Sequence, residues 1–158
     1  SVPQSVWIGA KAGNLRSSAS ITAPARSAAD RERDAREHPQ AVLEFAGFGP
    51  GMVVADIFGG GGYYAELVAG VVGPKGQVRL VNNPPYDAYV RKDLDAHLAG
   101  NRLPNVRHET VDPADMKLGV ASLDGAFGQV AGPSAGEIRA GVGMLVQFEH
   151  TGDRPLQK

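Results

Sequence analysis

The chain has 158 residues, of which 42% are hydrophobic and 21% charged, and its formal net charge is -1 at pH 7. This length predicts one domain, and the composition is typical of a globular protein rather than a fibrous or disordered one. The near-zero charge, with no patch-forming run of Lys or Arg, gives no reason to expect nucleic acid or an anionic membrane as a partner. The absence of cysteines excludes disulfides and thiolate metal sites but leaves the redox compartment open. No stretch approaches the ~20 apolar residues of a membrane span.

The N-terminal part divides into an arm and two helices. Residues 1–23 have no clear period and predict an irregular arm ahead of a domain at 24–158. The chain begins without an initiator Met or a signal-peptide pattern, so we expect either that a leader or tag was removed or that the chain is a fragment. Ser27 to Glu37 is charged nearly all round and predicts a solvated surface helix. Pro39 suits the first turn of a second helix, which Gly47 would end.

The most informative stretch is a short strand followed by four glycines. Met52 to Ile57 has the apolar, β-branched character of a buried parallel strand. Gly59 to Gly62, called the glycine turn below, lets the backbone approach a ligand closely because these residues have no Cβ. A helix predicted from Tyr63 to Val72 would direct its N-terminal amides at this turn. The pattern predicts a pocket for a polar or charged small molecule, and its structural alternative is a glycine-rich turn that binds nothing.

The residues around the glycine turn separate candidate ligands. A P-loop would end in Gly-Lys-Ser/Thr, whereas Gly62 is followed by two tyrosines. A dinucleotide fingerprint is only weakly excluded, because its last glycine can be an alanine such as Ala65. Asp56 is the stronger discriminator, since a carboxylate would repel a pyrophosphate but would accept a hydrogen bond from an amino group or bind its positive charge.

Polar residues follow the next two predicted strands. Gln77 to Val81 should pair in parallel with the first strand through a right-handed crossover, and Asn82 ends it. Asp112 follows a third strand at Val106 to Val111. Because open α/β sheets bind ligands outside the carboxyl ends of their strands, Asn82 and Asp112 should line up with Asp56. Asn82 can equally be a turn residue, and Asp112 can equally cap the turn after it.

A helix at Tyr86 to Ala99, a fourth strand at Gly125 to Val130 and a fifth at Met144 to His150 complete the predicted elements.

Residues 56–64, Asp-Ile-Phe-Gly-Gly-Gly-Gly-Tyr-Tyr, resemble motif I of class I S-adenosylmethionine-dependent methyltransferases. They are most similar to a bacterial group of predicted methyltransferases with Gly-Gly-Gly-Tyr-Tyr at this place, and the resemblance runs from about Pro24 to Phe127. It implies a Rossmann-like three-layer α/β sandwich with a mostly parallel sheet, here shortened to about five strands. It implies S-adenosylmethionine as cofactor. The residues it places at the cofactor are Asp56, Phe58, Gly59, Gly60, Gly61, Gly62, Tyr64, Asn82 and Asp112.

The resemblance assigns some roles and leaves others in doubt. Phe58 stands where many class I enzymes have the first motif glycine. Asn82 stands where they have an acid that holds the ribose hydroxyls, so weaker ribose anchoring is expected, and Asp112 stands where a side chain meets the adenine amino group. The charged segment at 27–37 would lie at the cofactor mouth.

The function that follows is methyl transfer to an unknown, small acceptor, in the cytoplasm unless the chain is exported. The catalytic residue is unknown, and His150 at the end of the fifth strand is the candidate general base. The four histidines form no i, i+4 pair, so no metal site is predicted. Too few residues follow the fourth strand for the family's last elements, and the open edge that this would leave predicts a homodimer. A non-catalytic remnant or interaction module is the first alternative, and an NAD-binding oxidoreductase is the second.

Overall fold

The computed structural model describes residues 15–117 and 123–128, in which helices and strands alternate. The elements in chain order are α1 (residues 15–21), α2 (Ala28–Glu37), α3 (Pro39–Ala46), β1 (Val53–Ile57), α4 (Tyr63–Val72), β2 (Gln77–Asn82), α5 (Pro84–Leu98), β3 (Val106–Thr110) and β4 (Gly125–Gly128). Short 3-10 helices lie at Ala99–Asn101 and Pro113–Asp115. None of the helices described combines the length and the apolar character needed to cross a membrane.

The four strands form one parallel sheet in the order β3-β2-β1-β4. The prediction that β1 and β2 are parallel neighbours is confirmed, and so is the Rossmann-like α/β class. Strand order reverses at β1, where Asp56 lies between Leu80 of β2 and Phe127 of β4. Such a reversal is where open α/β sheets form a ligand crevice. The predicted fifth strand at 144–150, with His150, lies outside the described residues.

The core forms where α4 packs on the sheet. Leu67, Val68 and Val71 of α4 belong to the same buried cluster as Val54 and Leu80 of the two central strands. The hydrophobic effect therefore fixes α4 behind β1, because burying each such side chain contributes about 1.5–3 kcal/mol. The N-terminal end of α4 is thereby held at the glycine turn.

The prediction of an irregular N-terminal arm is wrong for residues 15–21, which are helical. This helix packs through small polar side chains: Ser17 and Ser20 are buried, and the Ser20 hydroxyl donates to the Leu67 carbonyl oxygen of α4 at 2.6 Å. Gly70 makes the approach possible, because a Cβ there would lie 2.9 Å from the Ser20 Cβ. Because the packed side chains are serines, residues 15–21 have no apolar stripe, which is the usual sequence signal of a packed helix. The sequence therefore did not predict this helix. Residues 1–14 lie outside the described part of the chain.

Local capping explains where the other helices begin and end. The Ser27 hydroxyl accepts from the Asp30 amide at the start of α2. Gly47 ends α3 with φ at 67°, a left-handed conformation that glycine adopts without strain, as predicted. The Asn83 side chain accepts from the Tyr86 amide, so α5 begins two residues before the predicted start. Two prolines occupy that first turn, where a missing N–H costs nothing.

Candidate functional site

The glycine turn joins β1 to α4 through a backbone that L-residues rarely adopt. Gly60 and Gly62 have φ of 62° and 104°, and the non-glycine Phe58 has φ of 55°. The Phe58 amide donates to the Val81 carbonyl oxygen at 2.7 Å, which extends the β1–β2 pairing into the turn. A left-handed conformation at a bulky residue costs about 1–3 kcal/mol and persists where the surrounding structure enforces it. Many class I methyltransferases have a glycine at the place of Phe58, and the backbone there has the left-handed conformation that favours one.

Space, as well as conformation, explains the glycines. A Cβ on Gly60 would lie 2.8 Å from the Tyr86 hydroxyl oxygen, and one on Gly61 would lie 2.7 Å from the Asp93 Cβ. Helix α5 therefore presses directly against the turn. On the sheet side, a Cβ on Gly59 would lie 2.5 Å from an Asp56 carboxylate oxygen. Any side chain at these three positions would have to move a neighbour.

Asp56 has the most unusual environment of the predicted site residues. Its side chain is 1% exposed, and within the described part of the chain neither carboxylate oxygen has a hydrogen-bond partner. Burial raises the pKa of Asp56 well above its ordinary value. Because an unpaired buried carboxylate is strongly disfavoured, the group stays neutral unless a cation or donors reach it. Asp56 is thus suited to a ligand that brings a positive charge.

Asn82 holds the glycine turn from below. Its side chain is fully buried, its Oδ1 accepts from the Gly60 amide at 2.9 Å, and its Nδ2 donates to the Gly60 carbonyl oxygen at 3.1 Å. An amide can both donate and accept, whereas an ionised acid only accepts. This requirement is a physical reason for asparagine where the family resemblance predicts an acid. The ribose contact remains a prediction.

Asp87 is a site residue that the sequence did not indicate. It lies in the first turn of α5, is 1% exposed, and accepts from His108 Nε2 of β3 at 2.5 Å and from Arg91. Asn82 Nδ2 lies 3.4 Å from the same carboxylate. Burial opposes its ionisation, but the hydrogen bonds from His108 and Asn82 and the charges of His108 and Arg91 together lower the pKa of Asp87. The only sequence signal was an acid in the first turn of a helix, which ordinarily means a favourable dipole interaction.

Replacing Asn82 by aspartate is expected to destabilise the fold by about 2 kcal/mol. The Gly60 carbonyl oxygen would lose the hydrogen bond from the Asn82 amide nitrogen and would face a carboxylate oxygen instead. It would also bring a second carboxylate beside Asp87. The matched control is Asn83→Asp, which keeps a capping acceptor for the Tyr86 amide and should change stability by less than about 0.5 kcal/mol. Urea unfolding at neutral pH measures both, and equal stabilities of the two variants would contradict the role given to Asn82.

The charged helix α2 is only partly a solvated surface. Asp34 accepts from the Tyr63 hydroxyl at 2.7 Å and from two nitrogens of Arg26, each at 2.7 Å. The Arg33 guanidinium lies over the Tyr63 ring, 4.3 Å from its centroid. Because Tyr63 is the first residue of α4, these contacts fix α2 to the end of the glycine turn. Residues Arg31, Glu32 and Arg36 are exposed, as predicted.

The remaining predicted site residues lie further from the turn. The Tyr64 ring is 3% exposed and packs in the core, 6.1 Å from the Phe127 centroid. Asp112 is exposed after β3, and its carboxylate accepts from the Ala114 amide at 2.9 Å, as the capping alternative predicted. The structure therefore brings together Asp56, Phe58, the glycine turn and Asn82. An adenine contact by Asp112 remains a prediction.

The chain resembles parts of solved methyltransferase structures. An S-adenosylmethionine-dependent methyltransferase from Aquifex aeolicus superposes with a TM-score of 0.49 and 24% identity over 57% of this chain and 46% of that one. A protein-L-isoaspartate O-methyltransferase gives 0.42 and 26% over 58% and 28%, and Aeropyrum pernix fibrillarin with natively bound S-adenosyl-L-methionine gives 0.43 and 23% over 54% and 36%. No family model and no curated protein matches the sequence. The chain spans less than half the length of each of these three structures.

Proposed function

We propose that this chain binds S-adenosylmethionine at the glycine turn and forms the cofactor-binding core of a methyltransferase that acts on a small acceptor. The observation that carries the proposal is the Asp56 carboxylate, which is buried beneath Gly59 and lacks a hydrogen-bond partner within the described residues. A cationic amino group would supply the missing charge and donors together, and such charge-assisted hydrogen bonds are about twice as strong as neutral ones. A pyrophosphate would supply neither.

The other groups at the strand ends support the same cofactor. The glycine turn has no side chains of its own, and α4 begins at Tyr63 directly after it without a side-chain cap on its first amides. An amino acid carboxylate is a suitable ligand for such a helix N-terminus. We assign the ribose to the Asn82 end of β2 and the adenine to the Asp112 end of β3, which follow in order along the same sheet edge.

The chain's part in the reaction is alignment. Bound S-adenosylmethionine would supply a methyl group on a positively charged sulfur, which leaves readily when a nucleophile is aligned with it. Holding two reactants in the correct orientation removes much of the entropic barrier, so no protein nucleophile is required. Asp56, the glycine turn and the packed helix α5 would provide the rigid side of that arrangement.

Calorimetric titration of the full chain with S-adenosylhomocysteine and with S-adenosylmethionine tests the proposal. Saturable binding is expected, and Gly60→Ala should abolish it, because the new Cβ meets the Tyr86 hydroxyl at a residue with φ of 62°. Gly49→Ala is the control, since no atom lies within 4 Å of a Cβ at that position and its φ is not left-handed. Absence of binding at millimolar ligand, or saturable NADH binding in preference to both compounds, would refute the proposal.

A further inference from the structure

Three helices bring an imidazole and two carboxylates together behind the glycine turn. Asp30 lies on α2, Glu66 on α4 and His97 on α5, and one ligand atom from each lies within 4.8 Å of the others. His97 Nε2 is 2.6 Å from Asp30 Oδ2 and 3.7 Å from Glu66 Oε2. Asp30 and Glu66 are buried. This group, called the three-helix cluster below, has no part in the proposed cofactor site.

The imidazole is oriented as metal-binding histidines are. Its Nδ1 lies 2.9 Å from the Asp93 carbonyl oxygen, one turn earlier on α5, and donates to it. A hydrogen bond from one ring nitrogen to a backbone carbonyl fixes the tautomer and directs the other nitrogen, here Nε2, at the ligand. Nε2 faces the Asp30 carboxylate at 2.6 Å, so a cation bound there would have an imidazole nitrogen and a carboxylate oxygen as ligands.

Glu66 supplies an independent sign that a cation belongs there. The residue is 7% exposed, and its Oε1 accepts from Arg102 at 2.6 Å. Its Oε2 is buried, has no hydrogen-bond partner in the described part of the chain, and is directed at His97. A buried acceptor left without a donor costs about 1–3 kcal/mol, and more when the group is charged. A metal ion bound between Glu66 and His97 would remove that cost.

We propose that Asp30, Glu66 and His97 bind a divalent cation with the preferences of Zn²⁺. Zinc accepts imidazole nitrogen and carboxylate oxygen at about 2.0–2.2 Å, which in a tetrahedron separates ligand atoms by roughly 3.4 Å. The Glu66–His97 separation is close to this value, and the Asp30–His97 pair would open by less than about 1 Å. Two carboxylates contribute negative charge, one of them shared with Arg102, and the fourth position is left for water.

The site would tie three helices to the back of the glycine turn. A Cβ on Gly62 would lie 3.3 Å from the His97 Cβ, so the α5 residue that binds the ion also contacts the turn. The sequence predicted no metal site because no two histidines lie one helical turn apart. This cluster instead takes one ligand from each of three separate helices, an arrangement that such spacing does not detect. The proposal does not depend on cofactor binding.

Zinc titration of the chelator-treated full chain, in competition with a chromogenic zinc indicator and without cofactor, tests the proposal. We expect one zinc per chain. His97→Gln should weaken binding by at least about a hundredfold, because loss of a supporting hydrogen bond alone costs 10- to 100-fold. His38→Gln, the same change at an exposed histidine of α3's N-cap, should leave binding unchanged.

Asp30→Asn guards against a folding defect in the His97 variant. The asparagine keeps a hydrogen-bonding side chain beside His97 but is a poor ligand, so zinc should raise the thermal midpoint of the original chain and fail to raise that of Asp30→Asn. Circular dichroism checks that both variants are folded. An original chain that binds no zinc at micromolar free metal, or variants that bind it equally well, would show that the cluster is an ion-pair network only. Either result would say nothing about S-adenosylhomocysteine binding, which is measured in a separate titration.

Discussion

Replacing Asp56 by asparagine is expected to stabilise the folded chain at neutral pH and to weaken cofactor binding at least about tenfold. The stabilising part follows from burial, because the folded state either keeps the carboxyl protonated or encloses an unpaired charge, and both are costly at pH 7. The binding part follows from the lost charge, since a hydrogen bond to a charged group contributes about 1.5–3 kcal/mol.

The pH dependence of stability identifies the mechanism. The pKa of Asp56 is raised in the folded chain, so between its ordinary value of 3.8 and the raised value the folded state binds more protons than the unfolded state. Stability due to this group therefore falls as pH rises through that window. The asparagine variant has no carboxyl group here, so its free energy of unfolding does not fall for this reason. The difference in free energy of unfolding between the variant and the original chain should grow by about 1.4 kcal/mol per pH unit within the window. Urea unfolding of both chains at several pH values between 4 and 8, spaced by roughly one unit, measures the difference.

Ligand affinity should show the opposite dependence. An amino group binds the ionised carboxylate, so S-adenosylhomocysteine should bind the original chain more tightly as pH rises through the raised pKa, and Asp56→Asn should lose that dependence. Asp112→Asn is the matched control for stability, because its exposed side chain can still cap the Ala114 amide. An Asp56 variant that is less stable than the original chain at neutral pH would mean that the carboxylate is paired.

The unit from β1 to β2 was predictable from the sequence for identifiable reasons. Apart from Asp56, Val53 to Ile57 is apolar and mostly β-branched, and the glycine turn ends this pattern. Tyr63–Val72 then has a helical apolar face that ends at Gly73. Each of these patterns depends on neighbouring residues only, so the strand, the turn and the helix can be predicted without knowing how the rest of the chain packs. The parallel pairing of β1 with β2 then follows from the short right-handed crossover.

The side-chain roles inside the site were not predictable in the same way. Asn82 faces Gly60, and Asp87 faces His108, across distances of 22 and 21 residues along the chain. The first pair depends on the path of the glycine turn over the end of β2, and the second depends on how α5 packs against β3. No periodic pattern in the sequence indicates either arrangement. The position of Asn82 at a strand end was correct, while its hydrogen bonds to the turn became visible only with the fold.

Helices with little apolar surface were the other source of error. Residues 15–21 dock through Ser17 and Ser20, and α2 docks through charged residues such as Asp34. The hydrophobicity pattern of both helices predicts that they are exposed to solvent. These two contacts are hydrogen bonds whose partners, Leu67 and Tyr63, lie on α4.

Asp34→Asn is expected to destabilise the fold by about 3 kcal/mol, because it leaves the Arg26 guanidinium, whose side chain is 1% exposed, without its neutralising partner. One amide oxygen cannot replace the two carboxylate oxygens that accept from Arg26, and the new amino group would face one of its N–H donors. Urea unfolding at pH 7 measures the loss. Glu32→Gln, an exposed charge on the same helix, is the control and should change stability by less than about 0.5 kcal/mol.

Acid should remove the difference between the Asp34 variant and the original chain. The hydrogen bond from Arg26 is the main cause that lowers the pKa of Asp34 below 3.8, and it outweighs the opposing effect of burial. A carboxyl group with a lowered folded pKa contributes stability that is complete above its ordinary value and disappears as pH falls through the lowered one. The two unfolding free energies should therefore converge below pH 3.8, and a constant difference down to lower pH would contradict the ion pair as the cause.

The same substitution also tests whether α2 supports the cofactor site. Asp34 accepts from the hydroxyl of Tyr63, the residue that follows the glycine turn, so Asp34→Asn should weaken S-adenosylhomocysteine binding as well as stability. Tyr63→Phe removes only the hydroxyl contact and leaves the Arg26 pair intact. If α2 acts by positioning the turn, Tyr63→Phe lowers affinity with a stability loss of only about 1 kcal/mol. If α2 serves stability alone, Tyr63→Phe leaves affinity unchanged, and the turn is held by Asn82 and α5 without help from the N-terminal helices.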